Sequence, residues 1–147
     1  MTESTHSIVV EQAFDDSKET VWKAITEHNQ MIKWFFDNIP EFKPEVGFET
    51  QFNVTAGERD FLHLWAITEA IPFQKIVYDW RYKDYPGVGT VTFEIFEQGD
   101  GSLLRVTTEG IESFPQDVPE FSHESCEGGW KYFIQGNLKD YLGPENK

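Results

Sequence analysis

The segment CEGGWKYFIQGNLKDYLGP, Cys126–Pro144, sets how the rest of the chain is read. Trp130, Phe133, Ile134, Asn137, Leu138 and Tyr141 recur at helical spacing, which predicts one long C-terminal helix. Upstream, Asp117-Val118-Pro119-Glu120 fits a capping box, with Asp117 as N-cap and Glu120 at the third helical position. Gly143-Pro144 fits a helix stop. Yet Gly128, Gly129 and Gly136 lie inside this helix, and each interior glycine costs about 1 kcal/mol relative to alanine. Ser122, Ser125, Gly129 and Gly136 fall along one flank of the Trp130 face. Two explanations stand: close approach of the helix to its neighbours, or open volume at the edge of a cavity. The second is preferred. Gly128 lies off this stripe and, with Gly129, is a candidate kink.

A long amphipathic helix needs a partner, and the preceding sequence supplies one. Between Gly47 and Glu109 the apolar period changes from helical to alternating. Phe48, Thr50, Phe52 and Val54 share a face, as do Phe61, His63, Trp65 and Ile67. Ile76, Tyr78, Trp80 and Tyr82 follow, then Val91, Phe93 and Ile95, then Leu104, Val106 and Thr108. The links between these runs are short, with EQGDG (Glu97–Gly101) a clear hairpin signal, so the strands are expected antiparallel. One bulge would exchange the inward and outward residues of a strand. Ahead of them, Ser7–Phe14 reads as a first strand. Ser17 is a candidate N-cap for a helix burying Val21, Trp22, Ala24 and Ile25. A short second helix is expected near Asn29–Phe35, then an irregular connection from Phe36 to Pro44. The predicted order is strand, two helices, five strands, one long helix. This is an α+β chain whose helix covers one face of the sheet.

The 147 residues suit one domain, 1–147, with one core. Aromatic residues make up 16%, enough to line a core or a pocket with rings. The net charge of -14 would repel nucleic acid and anionic membranes at long range, so no nucleic-acid partner is expected. No apolar run is long enough for a membrane span, and MTESTHSIVV lacks the features of a signal peptide. A single cysteine, Cys126, agrees with a reducing compartment. A cytoplasmic location is the expectation.

Four stretches carry a resemblance to a known family: Glu19–Phe35, Ala66–Trp80, Gly89–Ile111 and Gly128–Leu142. In this order they resemble the Hsp90 ATPase activator homologue family, within the START/Bet v 1-like helix-grip superfamily. The resemblance implies a curved antiparallel sheet of about six strands gripping the long helix, with an apolar cavity between them. It matches the C-terminal domain of the eukaryotic co-chaperone, which also occurs as small stand-alone bacterial proteins. The co-chaperone has an additional N-terminal domain that contacts the chaperone, and this chain starts directly at the first strand. The superfamily binds lipids, hormones and polyketides on one scaffold, so the resemblance names no ligand.

The expected activity is therefore binding of a small apolar or aromatic molecule without chemistry. The candidate lining is Phe48, Phe52, His63, Trp65, Tyr78, Trp80, Phe93 and Phe133, with Gly129 and Gly136 at the helix. His63 would be the polar anchor among rings. Residues Met31–Phe42, with Phe35 and Phe36, are either a lid or ordinary packing. His123 and Cys126 are three apart but have no further ligand pattern, so neither a metal nor a cofactor is expected. Asp79, Glu94, Glu97 and Glu109 form no evident acid–base pair, and the glycines of Gly87–Gly89 and Gly99–Gly101 belong to turns. Two alternatives remain: a protein-interaction module for an Hsp90-type chaperone, and a cyclase or dehydratase of the same superfamily. The chain is expected as a monomer or homodimer.

Overall fold

A computed structural model describes residues 7–56, 59–83, 85–115 and 123–142. The strands are β1 (Ile8–Phe14), β2 (Glu49–Ala56), β3 (Arg59–Ile71), β4 (Lys75–Tyr82), β5 (Gly89–Gln98) and β6 (Gly101–Glu109). They pair antiparallel in the order β1-β6-β5-β4-β3-β2. Two helices, α1 (Lys18–Thr26) and α2 (His28–Trp34), follow β1. The C-terminal helix comprises α3 (His123–Trp130), a π-helical stretch Lys131–Leu138 and a last turn, α4 (Lys139–Tyr141). This is the α+β helix-grip fold. The capping box at Asp117–Glu120, Ser122 of the small-residue stripe and the stop at Gly143-Pro144 lie outside the described residues.

The alternation along the strands sorts residues as their period demands. Phe61, His63, Trp65 and Ile67 are buried, and so are Ile76 and Tyr78, Val91, Phe93 and Ile95, and Leu104, Val106 and Thr108. A bulge does occur in β3: Ile67 pairs with Tyr78 but Glu69 with Val77, leaving Thr68 without a cross-strand partner. It falls after the inward set Phe61–Ile67, so those faces are preserved.

α1 starts where sequence chemistry places it. Ser17 Oγ accepts from the Thr20 backbone N–H at 3.2 Å. The buried face is Val21, Trp22, Ala24 and Ile25. Trp34 Nε1 donates to Ala24 O at 2.8 Å, fastening α2 to the end of α1. Asn137 Nδ2 in turn donates to Trp34 O at 3.1 Å, joining the C-terminal helix to α2. Amide side chains also reach the two outermost strands: Gln135 Nε2 donates to Glu11 O of β1 at 3.0 Å, and Asn38 Nδ2 to Asn53 O of β2 at 2.6 Å.

The π-helical stretch departs from the regular helix expected of Cys126–Tyr141. Its cause is visible in the buried residues. Trp130, Ile134, Leu138 and Leu142 are all buried and lie four apart. Four residues of an α-helix overshoot a full turn by about 40°, so such a row would drift off the core within three steps. The wider i→i+5 turn between Lys131 and Leu138 turns the chain the opposite way relative to such a row and so offsets that drift.

One hairpin position tolerates no side chain. Gly101 opens β6, and a Cβ there would overlap the carbonyl oxygen of Phe14 at the end of β1. Because that obstacle is backbone, Gly101→Ala is expected to destabilise the fold by about 1–3 kcal/mol, read from the urea midpoint. An unchanged midpoint would show that β1 and β6 separate there without penalty.

Candidate functional site

Most of the inner sheet face is filled. Phe35, just beyond α2, drops into its centre and meets Trp34, Trp65, Trp80, Trp130 and Phe133 at ring-centroid distances of 4.7–6.4 Å. Phe42 covers Trp65 and Tyr78 from the same connection. Packing gives out beyond these residues, toward one end of the sheet. There a cavity of about 200 Å³ lies between the sheet and the C-terminal helix. Its sheet wall is Val54, Phe61, His63, Trp80, Tyr82, Gly89, Val91 and Thr108. Its helix wall is Cys126, Gly129, Trp130 and Phe133, and Phe36, Ile111 and Phe114 close its margins.

Four of the residues singled out from sequence therefore meet around the cavity: His63, Trp80, Gly129 and Phe133. Phe52, Trp65, Tyr78 and Phe93 are buried in the aromatic core and do not line it. Phe48 packs edge-on against Phe42. Gly136 lies two turns further along the helix and does not line it either. Tyr82, Phe61, Thr108 and Phe114 line it without having been singled out. Tyr82, Phe61 and Thr108 share the inward parity of their strands. Which inward positions remain unfilled depends on where Phe35 and Phe42 come to rest, and strand periodicity carries no such signal.

The glycines now separate. Among the described residues, and apart from its chain neighbours and the adjoining helix backbone, a Cβ at Gly128 or Gly129 would meet no atom within 4 Å, and one at Gly136 only the Lys131 carbonyl. Close approach to the sheet thus explains none of the three. Gly129 borders open volume.

The polar groups of the cavity are held uncharged. His63 Nδ1 lies 3.0 Å from Phe61 O, and a carbonyl only accepts, so Nδ1 carries the proton. The other ring nitrogen, Nε2, has no hydrogen-bond partner among the described residues. Phe36, Phe52, Trp80 and Tyr82 surround the imidazole at centroid distances of 4.8–5.3 Å. Burial among these rings pushes its pKa from 6.5 down to about 4, and the Phe61 hydrogen bond opposes this only in part. Burial likewise pushes the Cys126 thiol up to about 11. The Tyr82 phenol is raised by burial, then by Cys126, and lowered in part by the hydrogen bond it accepts from Trp80 Nε1 at 2.8 Å. Thr108 Oγ1 is buried without a partner among the described residues. Among the described residues no lysine or arginine lines the cavity. Among the described residues no three His, Cys, Asp or Glu side chains are grouped to hold a metal ion, and no helix is long and apolar enough to cross a membrane.

A sheet closed over by a C-terminal helix, with an apolar cavity at one end, agrees with the family comparison. The family model described as "Activator of Hsp90 ATPase homolog 1-like protein" matches residues 15–143. The chain belongs to that family. Solved structures with the same fold include protein CV1439 from Chromobacterium violaceum, with a TM-score of 0.78 at 19% identity over 95% of this chain and 99% of that one. CalU16 from Micromonospora echinospora aligns with a TM-score of 0.69 at 23% identity, covering 95% and 77%. The Aha1 dimer from Colwellia psychrerythraea aligns with a TM-score of 0.72 at 18% identity, covering 96% and 98%. At these identities the likeness extends to the fold. No curated protein sequence matches the chain.

Proposed function

We propose that this protein binds a small apolar or aromatic molecule, without chemistry, in the cavity between the sheet and the C-terminal helix. The observation that carries this reading is a gap of about 200 Å³, walled mostly by apolar and aromatic side chains, in an otherwise filled core. Protein interiors are packed to crystal density, so such a volume is a departure. An apolar cavity of about 150 Å³ is enough to take up benzene, so this one suits one or two fused rings better than a long lipid. Acid–base catalysis works best with groups whose pKa lies near the operating pH. Here His63 moves down, and Cys126 and Tyr82 move up, all away from neutrality. That favours binding over a cyclase or dehydratase activity.

Thermal denaturation with a panel of one- and two-ring aromatics, flavonoids and lipids tests the reading. Stabilisation by the small aromatics is expected, and no shift with any class would sink it. Gly129→Leu supplies a second arm. With nothing near its Cβ, the new side chain is expected to fill the cavity and abolish uptake. The helix should meanwhile gain about 0.8 kcal/mol in propensity. Gly136→Leu, away from the cavity, should retain uptake. Equal uptake by both variants and the parent protein would place the ligand elsewhere.

Family membership favours a second reading, as a protein-interaction module acting on an Hsp90 homologue. An unchanged ATPase rate of that chaperone in the presence of the protein would dismiss it. The dimeric relative from Colwellia supports a homodimer as the form to look for.

A further inference from the structure

We propose that the cavity's ligand is a neutral aromatic molecule of one or two rings bearing a phenol-type hydroxyl, whose O–H donates to Nε2 of His63. This rests on the cavity-binding reading above. Ring aromatics alone would select any flat apolar molecule; His63 adds a direction. The bond from Nδ1 to Phe61 O fixes the tautomer and ties that edge of the ring to its own strand. The Nε2 lone pair, on a residue only 5% exposed, is left as an acceptor with no partner among the described residues. A donor that reaches this acceptor inside an apolar cavity gains a hydrogen bond that an apolar ligand cannot make.

The charge of the ligand follows from the same wall. Among the described residues no cation lines the cavity, the imidazole is uncharged at neutral pH, and the chain carries a net charge of -14. A carboxylate would be desolvated against a lone pair with no cation among the described residues to offset it. A phenolic O–H meets the lone pair as a neutral O–H···N hydrogen bond, while its ring lies among Phe36, Trp80 and Phe133. Thr108 stands on β6, separated from β3 by β4 and β5. A single hydroxyl on a small ligand therefore meets His63 and leaves Thr108 untouched.

Titration calorimetry at pH 7.5 with 2-naphthol, 2-methylnaphthalene and 2-naphthoate separates the possibilities. The first two probes differ by hydroxyl for methyl, and the third carries the charge. Binding of 2-naphthol with no detectable binding of 2-naphthoate is expected. In His63→Phe the preference for 2-naphthol over 2-methylnaphthalene should fall by about fivefold, the worth of one net hydrogen bond. Nitrogen NMR of the unsubstituted protein gives a readout independent of the variant's folding. The Nε2 resonance should move on adding 2-naphthol and stay in place on adding 2-methylnaphthalene. If both neutral probes bind with the same ratio in parent and variant and Nε2 does not respond, the hydroxyl assignment is overturned and cavity binding survives. Tight binding of 2-naphthoate also overturns it. If no probe binds, both readings fall.

Discussion

Replacing Phe35 with alanine is expected to cost the fold about 3–5 kcal/mol, the range for truncating a buried aromatic residue. Phe35 sits at the end of α2, only 7% exposed, and its ring is shared by three layers. It stacks on Trp34 and Trp65, meets Trp80, and on the helix side touches Trp130 and Phe133 edge-on or tilted. No regular element holds this ring, since the chain leaves α2 at Phe35 with backbone angles that are neither helical nor extended. Its removal opens a void among rings that are themselves anchored in strands and helix and cannot collapse into it, which is the costly case. Small domains are stable by only about 5–15 kcal/mol, so the variant should approach the limit of folding. Urea denaturation measures the loss. A loss below about 1 kcal/mol would show that Phe36 or Phe133 swings in to replace the ring.

His63 gives the second large effect. Its folded pKa lies at about 4, against 6.5 for an unperturbed imidazole. As pH falls below 6.5 the unfolded chain takes up a proton that the folded chain refuses, so protonation pulls toward unfolding. The contribution is intact above pH 6.5 and is lost progressively down to about pH 4. The full difference corresponds to about 3 kcal/mol, of which about 2 kcal/mol is gone by pH 5. Many carboxylates contribute their own dependence, so the comparison with His63→Phe isolates the effect. The stability lost between pH 7.5 and 5 should be about 2 kcal/mol greater in the parent protein. Equal losses would mean that the folded imidazole titrates normally, and a proton NMR titration of its ring would then show a midpoint near 6.5.

How much of this was legible in sequence follows from what each element rests on. Strand faces depend on a period of two, and the bulge at Thr68 comes too late in β3 to shift Phe61 through Ile67. The N-cap at Ser17 depends on one local hydrogen bond. The cavity rests on neither kind of signal. Reading outward from the inward aromatics puts it over Trp65, Tyr78 and Phe93, at the middle of the sheet. Phe35 and Phe42 fill that middle from a connection with no periodicity, displacing the open volume toward His63 and Tyr82. The π-helical stretch was not legible, because Trp130, Phe133, Ile134, Asn137, Leu138 and Tyr141 also fit ordinary helical spacing.

The two amides on the outermost strands have a consequence for how copies of this protein behave in a crowded solution. A free strand edge offers a row of acceptors and donors on which another chain can add itself, the route to fibrous or tangled association. Gln135 occupies the Glu11 carbonyl within β1, and Asn38 occupies the Asn53 carbonyl within β2. An arriving strand would find the row interrupted partway along on either flank. Each outer strand thus carries one carbonyl already met by a side chain from elsewhere in the fold.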